Sequence, residues 1–320
     1  LHALEEALAD AGLPAAPGPR VGVCMGTTVA SQLNDLDFYA TLRRTGTAPL
    51  EPVERYLKGN LAEVVARRIG ATGPCVTVVN ACSSSADAIG LARSWLRAGV
   101  CDIAFAGGAD ELNAIPLSGF GALGVASRSP CRPFDRDREG LNLGEGAAIL
   151  ILETETSARA RGRTPSLFVA GYGAACDAHH LTAPRPDGSG LETAIRTALD
   201  QAGIAPSEID FVNAHGTATQ DNDRTEGSVL ARVFGPEARV LSTKGHTGHT
   251  LGAAGALEAV FTALALREGW VPASAGFANR DDAIPIGALA RRTAVTGRYA
   301  LSTSLAFGGN NAALVIGRLA

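Results

Sequence analysis

NACSSS, residues 80–85, sets Cys82 between an apolar run and a helix-like run. A thiol at the start of a helix meets free backbone N–H groups and the positive end of the helix dipole, which lowers its pKa and favours thiolate. The plain alternative is an inert packing cysteine, and Cys82 alone does not separate the two. Two histidines bear on the choice. His215 follows FVNA and opens HGTAT, and His249 lies in KGHTGHTLGAAGALE, a corner shaped like that of Cys82. One thiol with two imidazoles is a nucleophile-plus-base constellation. Two Nε–H donors suit acyl transfer coupled to decarboxylation, because they can hold a developing enolate oxygen. Lys244 opens the His249 corner and could anchor a carboxylate, with Glu258 in the following helix as its partner. LAFGGNNA, residues 305–312, is a glycine-rich turn able to bring the Phe307 N–H up to a reacting carbonyl.

These residues need elements to position them. Short apolar runs read as strands at Arg20–Met25, Val76–Asn80, Ile103–Gly107, Ala148–Glu153, Ser166–Gly171, Ile209–Ala214, Val240–Thr243 and Leu314–Ile316. Alanine-rich helical stretches such as Ala86–Ala98 and Ala253–Arg267 lie between them. The alternation predicts a layered α/β fold whose sheets are buried on both faces. The pattern also repeats in order. LHALEEALADAGL is echoed by LETAIRTALDQAGI, and RVGVCMGTT by IDFVNAHGTAT. VTVVNACSSSADAIGLARSWLRAG is echoed by VLSTKGHTGHTLGAAGALEAVFTALALREG, and IAFAGGADE by SLAFGGNNAALVI. Two halves, residues 1–160 and 161–320, are expected to pack about a pseudo-twofold axis and bring equivalent strand ends together. The second copy opens with a strand, LFVAGYGAACDA, that has no counterpart in the first. The expectation is that an N-terminal segment with at least one strand is missing here.

Bulk properties narrow the classes. The 320 residues are 46% hydrophobic, enough for a large core. A net charge of −4 and 5% aromatic content argue against a nucleic-acid surface. No apolar run is long enough to span a bilayer, and no signal-peptide pattern opens the sequence. The cysteines form no CxxC pair and have neither zinc-like nor disulfide-framework spacing. Free thiols in a reducing cytoplasm, and no metal, are the expectation. Nucleotide-binding glycine motifs stand in no fitting context.

NACSSSADAIG, NAHGTAT and STKGHTGHTLGAAGALE, in that order, resemble the three motifs of the β-ketoacyl-[acyl carrier protein] synthases, condensing enzymes of the thiolase superfamily. RPFDRDREGLNLGEGAAILILE and SLAFGGNNAALVI resemble further segments of that family. The resemblance implies a thiolase-like five-layered αβαβα fold, a homodimer or a heterodimer with a related subunit, and an acyl group carried on Cys82. It implies decarboxylation of a malonyl-carrier substrate, with 4′-phosphopantetheine brought by an acyl carrier protein and no cofactor of the chain's own. His215 and His249 would support decarboxylation, Lys244 and Glu258 would pair, and the N–H groups of Cys82 and Phe307 would form the oxyanion hole. Thr217 and Thr219 match phosphopantetheine contacts, Phe120 and Val29 acyl-pocket positions, and Asp223 and Glu226 buried acidic positions. The turn reads AFGGNN where GFGGTN is common, and Gly124 stands where bacterial fatty-acid members often have arginine. NDRTE is closer to members of polyene or polyketide pathways. A non-catalytic partner subunit would lack the cysteine. A degradative thiolase would carry a second cysteine late in the chain, and none follows Cys176. An inactive fragment is the remaining alternative.

Overall fold

The computed structural model describes residues 1–18, 20–28 and 35–319, apart from the side chains at 55, 56 and 58. In chain order the elements of the first half are α1 (His2–Ala11), β1 (Val21–Gly26), α2 (Leu36–Thr45), α3 (Glu51–Lys58), α4 (Leu61–Ile69), β2 (Cys75–Val78), α5 (Ser84–Arg97), β3 (Ile103–Asp110), α6 (Ala114–Ala122), β4 (Gly146–Glu153) and α7 (Glu155–Ala160). The second half holds β5 (Leu167–Cys176), α8 (Ser189–Ala202), β6 (Ile209–Asn213), α9 (Gln220–Phe234), β7 (Val240–Leu241), α10 (Lys244–Thr247), α11 (Ala254–Glu268), β8 (Trp270–Val271), β9 (Thr293–Ala294), β10 (Tyr299–Leu305) and β11 (Asn310–Arg318).

Two sheets carry the fold, ordered β2-β1-β3-β4 and β5-β11-β10-β6-β7. In each, three neighbouring strands are parallel and the next is antiparallel: β2, β1 and β3 with β4, and β7, β6 and β10 with β11. The sheets therefore match strand for strand, and β5 is the addition. The place equivalent to β5, beside β4, is taken by no strand among the described residues.

Side-chain alternation makes the layers. Val23 and Met25 of β1, with Ile103 and Phe105 of β3, pack outward against Leu4 and Leu8 of α1 and Val65 and Ile69 of α4. Cys24, Ala104 and Ala106 point the other way, into a central core with α5 and α11. In the second sheet Ala312, Leu314 and Ile316 of β11 face the same central core, while Ala313 and Val315 face α8 and α9. The strands read as unbroken apolar runs because both faces are covered. The central helices use small residues for the same reason. Gly255 of α11 lies so close to Ala86 of α5 that an added Cβ would stand 2.8 Å from the Ala86 nitrogen.

The eight strands read from the sequence all form, with shifted ends. β10 was not among them. Its sequence YALSTSL is interrupted by Ser302, Thr303 and Ser304, which are polar yet buried; Thr303 serves the site below. The two GG pairs likened above also differ physically. Gly107 and Gly108 lie inside β3, where a Cβ on Gly107 would meet the Ala148 carbonyl oxygen at 2.0 Å. Gly308 and Gly309 form the β10–β11 turn, with φ of +86° and +83°. No helix among the described residues is long and apolar enough to cross a membrane.

Candidate active site

Cys82 sits in a 3₁₀ turn, Ala81–Ser83, between β2 and α5. Ala81 has φ +49°, a left-handed conformation that costs a non-glycine residue about 1–2 kcal/mol. The serines hold it there. Ser84 Oγ accepts the Asn80 N–H at 2.7 Å and lies 2.6 Å from the Ala81 carbonyl. Ser85 Oγ accepts the Ala256 N–H of α11 at 2.8 Å, joining the two halves. All three serines are fully buried. The second half repeats the turn at Leu251–Ala253 before α11, with Leu251 at φ +55°. Gly252 thus stands where Cys82 stands in the first half. What differs is the approach. Residues 79–80 lead from β2 to the first turn, whereas residues 242–250 lead from β7 to the second. That longer lead carries Lys244 and His249.

The pseudo-symmetric packing brings the three reactive groups together. The Cys82 sulfur and one ring nitrogen each of His215 and His249 lie within 4.8 Å of one another. The imidazole centroids are 5.2 Å apart with perpendicular planes. His249 Nδ1 accepts the Leu251 N–H at 3.2 Å, so its proton is on Nε2, which has no partner among the described residues. His215 Nδ1 is 3.1 Å from Lys244 Nζ, a donor, so its proton also belongs on Nε2. Burial, and next the Lys244 charge, depress both histidines well below the usual range, keeping them neutral. The site therefore offers two neutral N–H donors.

Lys244 and Glu258 form a buried ion pair through a short hydrogen bond. Burial raises Glu258 to about 7, against the pull of the lysine. Glu226 holds the HGT loop: its carboxylate accepts the His215 and Gly216 N–H groups at 2.8 Å each and the Thr303 hydroxyl at 2.7 Å. Asp223 accepts the Phe134 N–H at 2.7 Å and the Ala218 N–H at 3.1 Å, and burial lifts it to about 6.

Cys82 departs from the sequence expectation. Burial pushes its thiol up to about 11. The Lys244 charge, the Phe307 N–H and the residue's own N–H pull the other way without prevailing. Loss of solvation outweighs the helix terminus because the thiol is buried at the base of the site. The N–H groups of Phe307 and Cys82 both lie against the sulfur.

A cavity of about 240 Å³ reaches Cys82, His215, His249, Thr217, Thr219, Phe120 and Phe307. Phe120 of α6 stacks on Phe307 with centroids 5.4 Å apart. The Thr217 and Thr219 hydroxyls are 2.9 Å apart. Val29 lies outside the described residues. His246 is exposed and turned away, bonded to the Ala273 carbonyl at 2.9 Å. His180 is exposed on the 177–184 loop that lines the mouth. Wall residues Glu139, Leu141, Asp177 and Gln220 were not singled out from the sequence. Three of them lie in or beside the quoted segments RPFDRDREGLNLGEG and NAHGTAT, so their chemistry was legible there only as neighbourhood.

Comparison with known proteins follows the same residues. The β-ketoacyl synthase N-terminal domain matches residues 1–158, and the β-ketoacyl synthase C-terminal domain matches residues 167–278. The 3-oxoacyl-[acyl-carrier-protein] synthase 2 of Rhizobium meliloti (strain 1021) is 38% identical over 341 residues, covering 99% of this chain and 79% of that protein. Among solved structures, the ishigamide ketosynthase/chain length factor superposes with a TM-score of 0.94 at 34% identity, over 99% of this chain and 80% of that one. A beta-ketoacyl synthase from Burkholderia phymatum STM815 gives 0.93 at 33% identity, over 100% and 81%.

Proposed function

The chain belongs to the β-ketoacyl synthase family of thiolase-like fold and is a Claisen-type condensing enzyme; we propose a decarboxylative reaction with the following division of labour. The Cys82 thiol attacks the thioester of an acyl carrier protein. The acyl–sulfur bond moves to Cys82, and the thiol proton leaves with the carrier's phosphopantetheine thiol. A malonyl-carrier thioester then loses CO₂, and the electron pair of the broken C–C bond becomes an enolate. The Nε2–H groups of His215 and His249 stabilise its oxygen. The enolate carbon attacks the Cys82 thioester, whose oxygen is held by the N–H groups of Cys82 and Phe307. Collapse releases the 3-oxoacyl carrier and the Cys82 sulfur, which takes back a proton.

The observation that carries this reading is the meeting of Cys82 with two imidazoles of fixed tautomer at one cavity. Lys244 holds His215 neutral and correctly turned, and Glu258 balances its charge. Glu226 and Asp223 shape the loop that bears His215. Thr217 and Thr219 line the path for the pantetheine arm, and Phe120 with Phe307 closes the acyl side. The units 1–160 and 161–320 contribute the thiol and the imidazoles respectively. Fatty-acid or polyene/polyketide synthesis is the setting, in the cytoplasm, where the free cysteines stay reduced.

A partner subunit of the same fold, a second copy or a related chain, fits the edge strand β2. That strand pairs only with β1 among the described residues and exposes Val76, with Val79 exposed just past its end, while α6 exposes Ile115 and Leu117, with Leu123 exposed at its C-terminus. The test of the chemistry is intact-mass analysis with acyl and malonyl carrier proteins. The wild type gains the acyl mass on Cys82; Cys82→Ala gains none, forms no 3-oxoacyl product and still releases CO₂ from the malonyl carrier. Full condensation by Cys82→Ala would overturn the reading.

A further inference from the structure

One acidic side chain brackets the reactive cysteine from both sides. Asp87 lies one turn into α5 and is mostly buried. Its Oδ2 accepts the Asn80 side-chain N–H at 2.7 Å and the Ser83 hydroxyl at 2.8 Å. Asn80 and Ser83 flank Ala81 and Cys82, so both ends of the strained turn are tied to one carboxylate. Its other oxygen, Oδ1, accepts the Tyr172 hydroxyl at 2.8 Å. Tyr172 belongs to β5, the strand with no counterpart in the first sheet. Its ring lies in a notch at Gly90, where an added Cβ would stand 2.4 Å from the ring carbons. Asp87 and Gly90 are three residues apart on α5 and share a face, so the helix offers the notch and the acceptor together.

A carboxylate suits the three donors because both of its oxygens accept. An amide at position 87 keeps one accepting oxygen and turns its NH₂ to the other side, where the Asn80 amide nitrogen cannot accept and a hydroxyl would have to give up its donated bond. Burial raises Asp87, while the Asn80, Ser83 and Tyr172 bonds favour its charged form. The charges that act most on the Cys82 thiol are Lys244 and Asp110, and Asp87 reaches it through the turn it braces.

We propose that Asp87 and Tyr172 are positioning residues for acylation: through Asn80 and Ser83 they hold the Cys82 turn in register with the Phe307 N–H, so a strand of the second half sets the nucleophile of the first. The histidine pair lies on separate elements and does not depend on this brace. The proposal rests on the reading of Cys82 as the acylated residue.

The experiment compares wild type, Asp87→Asn, Tyr172→Phe and Ser83→Ala. Acylation of Cys82 by an acyl carrier protein is followed by intact mass, and CO₂ release from a malonyl carrier protein is measured separately, with circular dichroism and melting as checks of folding. Acylation is expected to slow tenfold or more in Asp87→Asn and several-fold in Tyr172→Phe, with decarboxylation within twofold of wild type. If wild-type Cys82 takes no acyl group, the reading of the nucleophile fails. If the wild type acylates and the folded variants match it, or lose acylation and decarboxylation by the same factor, the brace is refuted. Ser83→Ala removes the hydroxyl's contacts with Asp87 and Asn80 and leaves the carboxylate in place, so it reports should Asp87→Asn not fold.

Discussion

Cys82 meets two opposing influences, and its reactivity is their balance. Enclosure holds the proton on the sulfur, while Lys244 and two N–H groups draw it off. Because thiolate is the reactive form, a thiol raised to about 11 is mostly protonated at pH 8. Iodoacetamide alkylation of Cys82, read on its peptide by mass spectrometry, is therefore expected to keep rising beyond pH 9 instead of levelling near the ordinary thiol range. The imidazoles behave in the opposite sense. Their depressed pKa keeps both neutral as pH falls through about 6.5, where a free histidine would gain its proton. CO₂ release by Cys82→Ala is expected to show no inflection there. Replacing His215 or His249 by Ala is expected to lower that release by about 10²–10³-fold, the usual loss for one donor to a developing oxyanion, and to affect acylation less.

At the scale of elements, the site is made by two equivalent turns that the sequence elaborates differently. The first approaches its helix in two residues and presents a thiol. The second takes nine, and the added residues bring Lys244 and His249. Tight backbone contacts set both. A Cβ on Gly26 would stand 2.3 Å from the Ser85 nitrogen. Gly26→Ala is therefore expected to push the first turn of α5 away from β1, costing about 1–3 kcal/mol in urea unfolding and slowing Cys82 acylation. Breaking the Lys244–Glu258 pair is expected to cost about 3–5 kcal/mol, since it leaves a buried charge uncompensated. Glu258→Ala should show this as a lower urea midpoint.

The whole molecule places α5 and α11 back to back between two sheets, and the reactive groups collect where their N-termini meet. Among the described residues the edge of β2 is open, and α6 exposes Ile115 and Leu117. Sedimentation of the purified chain is expected to give twice the chain mass if a second copy occupies that edge. Val79→Glu should then reduce the particle to a monomer.

Periodicity, repeated order and three motifs were enough to read the layered α/β class and to bring forward Cys82, His215, His249, Lys244 and Glu258, which the fold gathers into one cluster and one ion pair. Such signals are local: apolar runs mark buried strands, and small polar corners mark strand ends. Strand β10 escaped because Ser302, Thr303 and Ser304 are polar yet buried, Thr303 being satisfied by Glu226, 77 residues away. Folding alone decided the protonation of the thiol, since the loss of solvation depends on every neighbour. It also decided the tautomers of the imidazoles, which rest on the Leu251 N–H and Lys244 Nζ. The tie from Tyr172 to Asp87 spans 85 residues and joins different halves, a distance over which no spacing rule applies.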